Sequence, residues 1–201
     1  MRAKSDFEPG YIIGARYAVI DKEREDAAMS EYQLIMHEFD PVFDGNSRIL
    51  ILGSFPSAKS REANFYYGHP RNRFWKILAE IYQVRVPETI PEKKALLLEN
   101  HIALWDVIAQ CEIKGSSDAS IRNAVPTRLN VVLENAPIRQ ICCNGSTAYQ
   151  LFHKYQENTC GQAAIRLPSS SPANAAWSLE RLIEVWGEAL RCGSEDGTAV
   201  R

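Results

Sequence analysis

Asparagine amides and clustered hydroxyls are the groups of this chain whose types and spacing could do chemistry. Asn144 is followed directly by a glycine, and an amide there could offer a donor and an acceptor to the edge of a nucleobase. Ser169, Ser170 and Ser171 stand between two prolines, where hydroxyls and backbone N–H groups can hold a phosphate without adding charge. A plain turn and a polar linker are the alternative interpretations of these two stretches.

Aromatic side chains accompany two further polar stretches. In Gly-Ser-Phe-Pro-Ser, at 53–57, glycine and proline predict a tight loop whose small residues permit a ligand to approach the backbone. Phe55 in that loop either caps the core or faces a pocket. Asn72 belongs to the run Tyr-Tyr-Gly-His-Pro-Arg-Asn-Arg-Phe-Trp at 66–75. An asparagine beside a helix start is most often only a cap, so Asn72 alone is ambiguous.

Basic residues concentrate around the aromatic stretches, although the formal net charge of the chain is −2. Between residues 56 and 76 a single acid, Glu62, stands among the cations Lys59, Arg61, Arg71, Arg73 and Lys76. On charge alone, a solvated face is the better explanation of such a run. Aromatic and small polar residues interleave with it, however, and this combination indicates a nucleic-acid surface.

The composition indicates a globular protein without metal or membrane chemistry. The 201 residues are 45% apolar, enough for one domain with a sizeable core, and no apolar run reaches the roughly 18 residues of a membrane span. The five cysteines form no CxxC pair, so we expect reduced thiols and no zinc or iron–sulfur site. The N-terminus has no signal-peptide pattern, which predicts the cytoplasm, or the nucleus in a eukaryote.

Short apolar runs alternate with helical patterns, which predicts a parallel sheet covered by helices on both faces. The predicted strands are 48–52, 102–107, 138–143 and 163–167, and the predicted helices are 72–82, 91–99, 127–135, 147–155 and 179–190. Ligands of such sheets bind at the carboxyl ends of the strands. Because the polar stretches follow predicted strands, we expect all four to meet at that end of the sheet.

The chain divides into one domain and two terminal segments. Residues 1–28 mix acids and bases without a lasting period and include a pure charge run at 21–26. We interpret them as an appendage, partly helical or disordered, with no assigned role. Residues 29–192 form the predicted domain, and 193–201 a C-terminal tail.

Taken together, the four polar stretches resemble the uracil-DNA glycosylase superfamily and, within it, the hypoxanthine-DNA glycosylases. Gly-Ser-Phe-Pro-Ser, the run at 66–75, Asn-Gly and Leu-Pro-Ser-Ser-Ser-Pro-Ala-Asn match that branch almost position for position, and 69–75 also resembles the mismatch-specific uracil enzymes. The resemblance covers about residues 30–190. It implies a three-layer α/β/α sandwich around a four-stranded parallel sheet, and a monofunctional glycosylase that acts on DNA without metal or cofactor. Separately, we expect a monomer.

The resemblance also implies where this chain departs from its relatives. Classical uracil enzymes place an aspartate, and mismatch-specific ones an asparagine, where this chain has Phe55. In the hypoxanthine branch the catalytic role is assigned instead to the asparagine of His-Pro-x-Asn, here Asn72. Ser169 stands where classical enzymes have a histidine that supports the departing base. These departures favour a deaminated purine, hypoxanthine above all, over uracil as the substrate.

A base-flipping hypothesis gives each matched stretch a role. Asn72 would orient a water towards the anomeric carbon, because an amide cannot act as a general base. Tyr67 corresponds to the stacking aromatic of the mismatch-specific enzymes, and with Phe55 it would stack on the flipped base. The remaining candidates are Ser54 and Asn144 for the base, and Ser57, Arg71, Arg73, Ser169, Ser170 and Ser171 for the DNA backbone.

Three other functions remain open. The same pocket could bind damaged or single-stranded DNA without chemistry, and an enzyme of the same kind could prefer uracil. A serine hydrolase that uses Ser54 or Ser57 as its nucleophile is the third. Against it, His69 is the only histidine in a motif, and no Gly-x-Ser-x-Gly elbow is present.

Overall fold

The structure, a computed structural model, describes residues 31–115 and 117–194. Its strands are β1 (Gln33–Met36), β2 (Ile49–Gly53), β3 (Ile102–Asp106), β4 (Ile108–Ile113), β5 (Arg122–Pro126), β6 (Gln140–Asn144) and β7 (Ala164–Leu167). Its helices are α1 (Ala58–Glu62), α2 (Phe74–Ile81), α3 (Ile90–Glu99), α4 (Asn130–Leu133), α5 (Ser146–Tyr155), α6 (Glu157–Cys160) and α7 (Leu179–Ser194), with a 3-10 turn at Asp118–Ser120.

The central sheet is parallel, and its strand order is β3-β2-β6-β7. All residues of β2 and β3 are buried, as expected of parallel strands covered on both faces, and this is why they read as continuous apolar runs. The prediction of an α/β/α sandwich around four parallel strands is confirmed, with strand ends shifted by one or two residues.

Two amphipathic helices pack together beside this sheet. In α2 the apolar residues Phe74, Trp75, Ile77 and Leu78 recur at helical spacing and are buried. The Phe74 ring meets the fully buried Trp186 of α7 edge-to-face, with ring centroids 5.8 Å apart. This contact anchors the start of α2, directly after Asn72.

One predicted helix is much shorter than expected. The pattern over 127–135 gives only α4, because its first residues continue the preceding strand. Thr127 donates its backbone N–H to the Val107 carbonyl at 2.9 Å and its hydroxyl to the Asp106 carbonyl at 2.9 Å. Thr127 therefore holds the end of β3 instead of opening a helix.

A second sheet was not predicted from the sequence. Strands β1, β4 and β5 form an antiparallel sheet in the order β1-β4-β5. Their residues are partly exposed, so none of them shows a clear apolar run. The pairing is also irregular, because β4 pairs with β5 through register shifts and β5 ends on a proline. The chain leaves β1 at His37, and this small sheet thereby delivers a side chain to the edge of the parallel sheet.

The predicted appendage at 1–28 lies outside the described residues, as do 195–201 of the predicted tail. The division into domain and tails stays a prediction. Within 31–115 and 117–194, no helix combines the length and apolarity needed to cross a bilayer.

Candidate active site

A cavity of about 800 Å³ opens at the carboxyl ends of the parallel strands. Nine of the residues singled out from the sequence line it: Ser54, Phe55, Ser57, Tyr67, Asn72, Asn144, Ser169, Ser170 and Ser171. Arg71 and Arg73 are not part of this lining. Three polar stretches follow β2, β6 and β7, whereas the stretch at 66–75 lies between α1 and α2 and reaches the cavity without following a strand of its own.

Ser170 joins the Asn72 and Asn144 side chains at the cavity wall. Its hydroxyl donates to Asn72 Oδ1 at 2.9 Å and accepts from Asn144 Nδ2 at 2.9 Å. Its backbone N–H donates to Asn144 Oδ1, also at 2.9 Å. Ser170 is fully buried, so its hydroxyl does not reach a DNA phosphate, and the prediction of a phosphate contact for this serine has to be corrected.

Both ends of the Asn144 amide are committed to Ser170, through Oδ1 and through one hydrogen of Nδ2. One lone pair of Oδ1 and one hydrogen of Nδ2 remain, so the expectation that this amide presents a donor and an acceptor to a base stays a prediction. Asn144 also fixes the last loop against the end of β6.

Asn72 is both a cap and a cavity residue. Its Oδ1 accepts from the backbone N–H of Phe74 at 3.0 Å, in addition to the bond from Ser170, so the two lone pairs of this oxygen are occupied. Asn72 thus binds the first N–H of α2 from one position ahead of the N-cap residue, Arg73, which makes no side-chain cap bond itself. The amide nitrogen Nδ2 has no partner among residues 31–115 and 117–194, and it is the part of the side chain left for a ligand in the cavity.

The two candidate aromatics, Phe55 and Tyr67, differ in how much of each ring remains available to a ligand. Phe55 is 6% exposed and packs edge-to-face on His37 at 6.1 Å, so it belongs to the core and to the cavity wall at once. Tyr67 stacks on Phe74 with centroids 3.9 Å apart and adopts a φ of 53°, a conformation that is uncommon for a bulky residue. One face of Tyr67 is occupied by Phe74, which leaves the other for a base.

Arg73 has a different role from the predicted phosphate contact. Its guanidinium donates to the backbone carbonyls of the last loop, those of Ser169, Ser170, Ser171, Asn174 and Trp177. The five N–H groups of arginine suit such a cluster of acceptors. Arg73 therefore shapes the loop, whereas Arg71 is exposed and stays a candidate for DNA contact.

The two serines of the first loop also have local partners. Ser57 caps α1 by accepting from the Ser60 backbone N–H at 3.2 Å. Ser54 donates to Asp118 Oδ2 at 2.5 Å. Burial raises the pKa of Asp118, and the bond from Ser54 opposes this shift without cancelling it.

Asp106 is a cavity residue that sequence reasoning missed. It is the last residue of β3, 4% exposed, and its Oδ2 lies 2.9 Å from Nε2 of His37. The available signal was the position of Asp106 near the carboxyl end of the predicted strand 102–107, because ligands of parallel sheets bind at that end. Asp118 had no such signal, because it stands in a polar loop without a motif.

Gly53 marks the point where the Asp106 carboxylate and the Tyr67 hydroxyl converge. A Cβ on Gly53 would stand 2.1 Å from Asp106 Oδ1 and 3.1 Å from Tyr67 Oη. Only glycine leaves room for both groups. The Tyr67 hydroxyl is buried and makes no hydrogen bond of standard geometry with the described residues. Burial, followed by the Asp106 charge, raises its pKa well above the ordinary range, and the neighbouring Asn144 amide opposes this rise without cancelling it.

Among residues 31–115 and 117–194, no three histidine, cysteine, aspartate or glutamate side chains are grouped so that they could hold a metal. The chemistry available in the cavity is that of amides, hydroxyls, aromatic faces, two carboxylates and the guanidinium of Arg166. Such groups can grip a planar polar ring and a nearby water.

Comparison with known proteins relates this cavity to one family. The family described as Uracil DNA glycosylase superfamily matches residues 41–190. The Hypoxanthine DNA glycosylase of Methanosarcina acetivorans is 35% identical over 160 residues, which cover 79% of this chain and 99% of that protein. That of Methanosarcina barkeri is 32% identical over 155 residues, 76% of this chain and 96% of that protein.

A solved structure shows the same fold. The solution NMR structure of a Methanosarcina acetivorans protein, provisionally described as a uracil DNA glycosylase, superposes with a TM-score of 0.69 at 32% identity. The match covers 81% of this chain and all of that one. The matched residues include every candidate site residue except His37, which precedes the family match.

Proposed function

Because the chain belongs to the uracil DNA glycosylase superfamily, we propose that it is a DNA glycosylase of base excision repair that removes deaminated bases, hypoxanthine above all. The observation that carries the proposal is the meeting of Asn72, Phe55 and Tyr67 in one cavity at the carboxyl ends of the strands. The names of the two archaeal relatives support the choice of hypoxanthine.

The reaction is a hydrolysis at the anomeric carbon. The bond from C1′ to the base nitrogen breaks, and its electron pair leaves with the base. The oxygen of a water bonds to C1′, and a proton from that water ends on the departing base. Hypoxanthine suits this step because its lactam spreads the negative charge that forms.

Asn72 positions the water through its amide nitrogen. A water that accepts a hydrogen bond from Nδ2 keeps a second lone pair for C1′, so the free end of Asn72 has the right polarity for this task. The amide gives proximity and no proton transfer. Since a proton-transfer residue typically contributes about 10²–10⁴-fold, we expect a slower enzyme than one with an aspartate in this role.

Aromatic stacking offsets the cost of taking the base out of the duplex. Flipping costs a few kcal/mol, and stacking on an aromatic ring contributes roughly 1–3 kcal/mol per base. Tyr67, backed by Phe74, and Phe55 are the rings available in the cavity. One contact of this kind approximately balances the flip of a mispaired base.

The test is the release of free base from four matched duplexes that carry hypoxanthine, xanthine, uracil or adenine at one position. We expect hypoxanthine to be released fastest and adenine not at all. The strand should stay intact at the abasic product, because no lysine of the described residues lines the cavity as a Schiff-base nucleophile. Binding without release from any duplex would favour a damage sensor. Faster release of uracil than of hypoxanthine would mean that uracil is the main substrate.

The remaining expectations follow from a DNA substrate. The protein would act where the genome lies, in the nucleoid or the nucleus. We expect it to act as a monomer.

A further inference from the structure

Asp106 presents a buried carboxylate with only one of its two oxygens paired. Its side chain is 6% exposed, and it lines the cavity. Oδ2 is paired with His37, whereas Oδ1 has no hydrogen-bond partner among the described residues. Oδ1 is not among the fully buried polar atoms that lack a partner, so it stays accessible from the cavity and can accept a hydrogen bond from a ligand.

His37 fixes the orientation of that carboxylate. The backbone N–H of Phe39 donates to His37 Nδ1 at 3.1 Å. Nδ1 is therefore an acceptor, and the ring proton is on Nε2, 2.9 Å from Asp106 Oδ2. With Oδ2 held in this way, Oδ1 lies beside Gly53 and occupies the space that a Cβ there would need.

A carboxylate oxygen is an acceptor only, so the ligand has to bring an N–H or O–H. Deamination creates such a group on a base. Adenine has a lone pair at N1, and hypoxanthine has N1–H beside a carbonyl; cytosine and uracil differ in the same way at N3. The product of deamination is thus the partner that a fixed acceptor would select.

We propose that Asp106 Oδ1 accepts a hydrogen bond from the ring N–H of a flipped, deaminated base and is the residue that selects such bases against their amino parents. The proposal rests on the glycosylase function proposed above. His37 is the positioning residue. Ser170 orients the Asn144 amide, which is the alternative reader in this part of the cavity, through one lone pair of Oδ1 and one hydrogen of Nδ2.

The selection follows because the carboxylate oxygen of Asp106 can accept a hydrogen bond but cannot donate one. With adenine in the cavity, the N1 lone pair would face the carboxylate, and both acceptors would be left without a donor. Sites built to bind an N–H discriminate strongly against analogues that lack it for this reason. A single charged hydrogen bond of this kind corresponds to about a 10- to 100-fold effect.

The experiment compares the single-turnover release of hypoxanthine and of purine, which has a lone pair at N1, from matched duplexes that contain 2′-deoxyinosine or 2′-deoxynebularine. In Asp106→Asn the amide can rotate to donate to N1, so the ratio of the two rates should fall by about 10- to 100-fold. The ratio cancels the effect that removal of a negative charge has on the departure of either base. Asp44→Asn, the same change at a surface turn outside the cavity lining, should keep the wild-type ratio.

A second measurement needs no variant. Free hypoxanthine should inhibit the wild-type enzyme at least about 10-fold better than N1-methylhypoxanthine, which lacks the N–H. Equal inhibition by both bases, or an unchanged rate ratio in a folded Asp106→Asn protein, would overturn the proposal while the glycosylase function stands. If the wild type released no base from any duplex, the proposed function itself would fail instead.

Discussion

Asn72 and Ser170, 98 positions apart in the sequence, share a hydrogen bond of 2.9 Å between Ser170 Oγ and Asn72 Oδ1. This bond couples the helix that begins after Asn72 to the loop that follows the last parallel strand. It also determines which end of the amide is available, because Oδ1 is occupied and Nδ2 is not. The contributions of capping and of catalysis at position 72 can therefore be separated.

Asn72→Ala should abolish release of hypoxanthine and leave binding of the duplex nearly intact, because the water loses its donor. The variant should also lose about 1–3 kcal/mol of stability, because the Phe74 N–H and the buried Ser170 hydroxyl both lose their acceptor. Asn72→Ser is the matched control, since serine can accept from the Phe74 N–H but is too short to hold the water as the amide does. It should recover the part of the stability that the cap provides and remain inactive; activity equal to wild type in either variant would contradict the assignment.

Ser170→Ala should weaken both the fold and the reaction. It leaves Asn144 Nδ2 and Asn72 Oδ1 each short of a buried partner, which costs about 1–3 kcal/mol. Chemical denaturation and single-turnover release measure the two effects. Ser171→Ala removes a hydroxyl that accepts only from the exposed Ala173 N–H, and its stability should stay near that of the wild type.

Gly53→Ala should disturb the cavity strongly, although it adds only one methyl group. The new methyl would meet Asp106 Oδ1 at 2.1 Å, so the carboxylate or the strand has to move. We expect at least about a 10-fold slower release of hypoxanthine, since a small displacement of positioned groups is costly. Gly45→Ala introduces the same methyl where nothing lies within 4 Å and should leave release unchanged.

Arg73→Lys should destabilise the protein although the charge is kept. An ammonium has three donors and cannot replace the planar guanidinium that serves five carbonyls. We expect a loss of about 2 kcal/mol in unfolding free energy. Arg71→Lys, the same change at an exposed position, should leave the melting temperature as it is; equal melting temperatures for both variants would refute the role of Arg73.

Asp118 should make stability depend on pH. Because burial raises its pKa in the folded protein, its favourable contribution is present below the unfolded pKa of about 3.9 and is lost as pH rises through the folded value. Asp118→Asn cannot ionise and its amide oxygen can still accept from Ser54. The melting temperature of this variant, relative to wild type, should rise between pH 4 and pH 7; a constant difference would show that Asp118 does not titrate in this way.

The sequence predicted the parallel sheet because buried strands leave a continuous apolar signal. It did not predict the second sheet, because the six residues of β4 mix apolar and polar types and β5 ends on proline. Neighbouring strands decide such pairings, and no local pattern of this chain contains that information.

The site was predictable where glycine, proline and asparagine mark the loops, as at Phe55, Asn72 and Asn144. The roles within it were less predictable, because a hydroxyl or guanidinium can serve a ligand or the backbone equally well. Ser170 and Arg73 serve the protein itself. Asp106 was missed because its importance lies in what surrounds it: His37 binds one carboxylate oxygen, and the missing Cβ of Gly53 makes room for the other.

His37 reaches the cavity from the segment ahead of residue 41, where the family match begins. A shorter chain starting at that boundary would retain every polar stretch and all four parallel strands, yet the Asp106 carboxylate would lose the one side-chain donor that it has among the described residues. Such a truncated enzyme, provided that it folds, should still release deaminated bases but should discriminate poorly between them and their amino parents. Fidelity and turnover would then be properties of different parts of the chain.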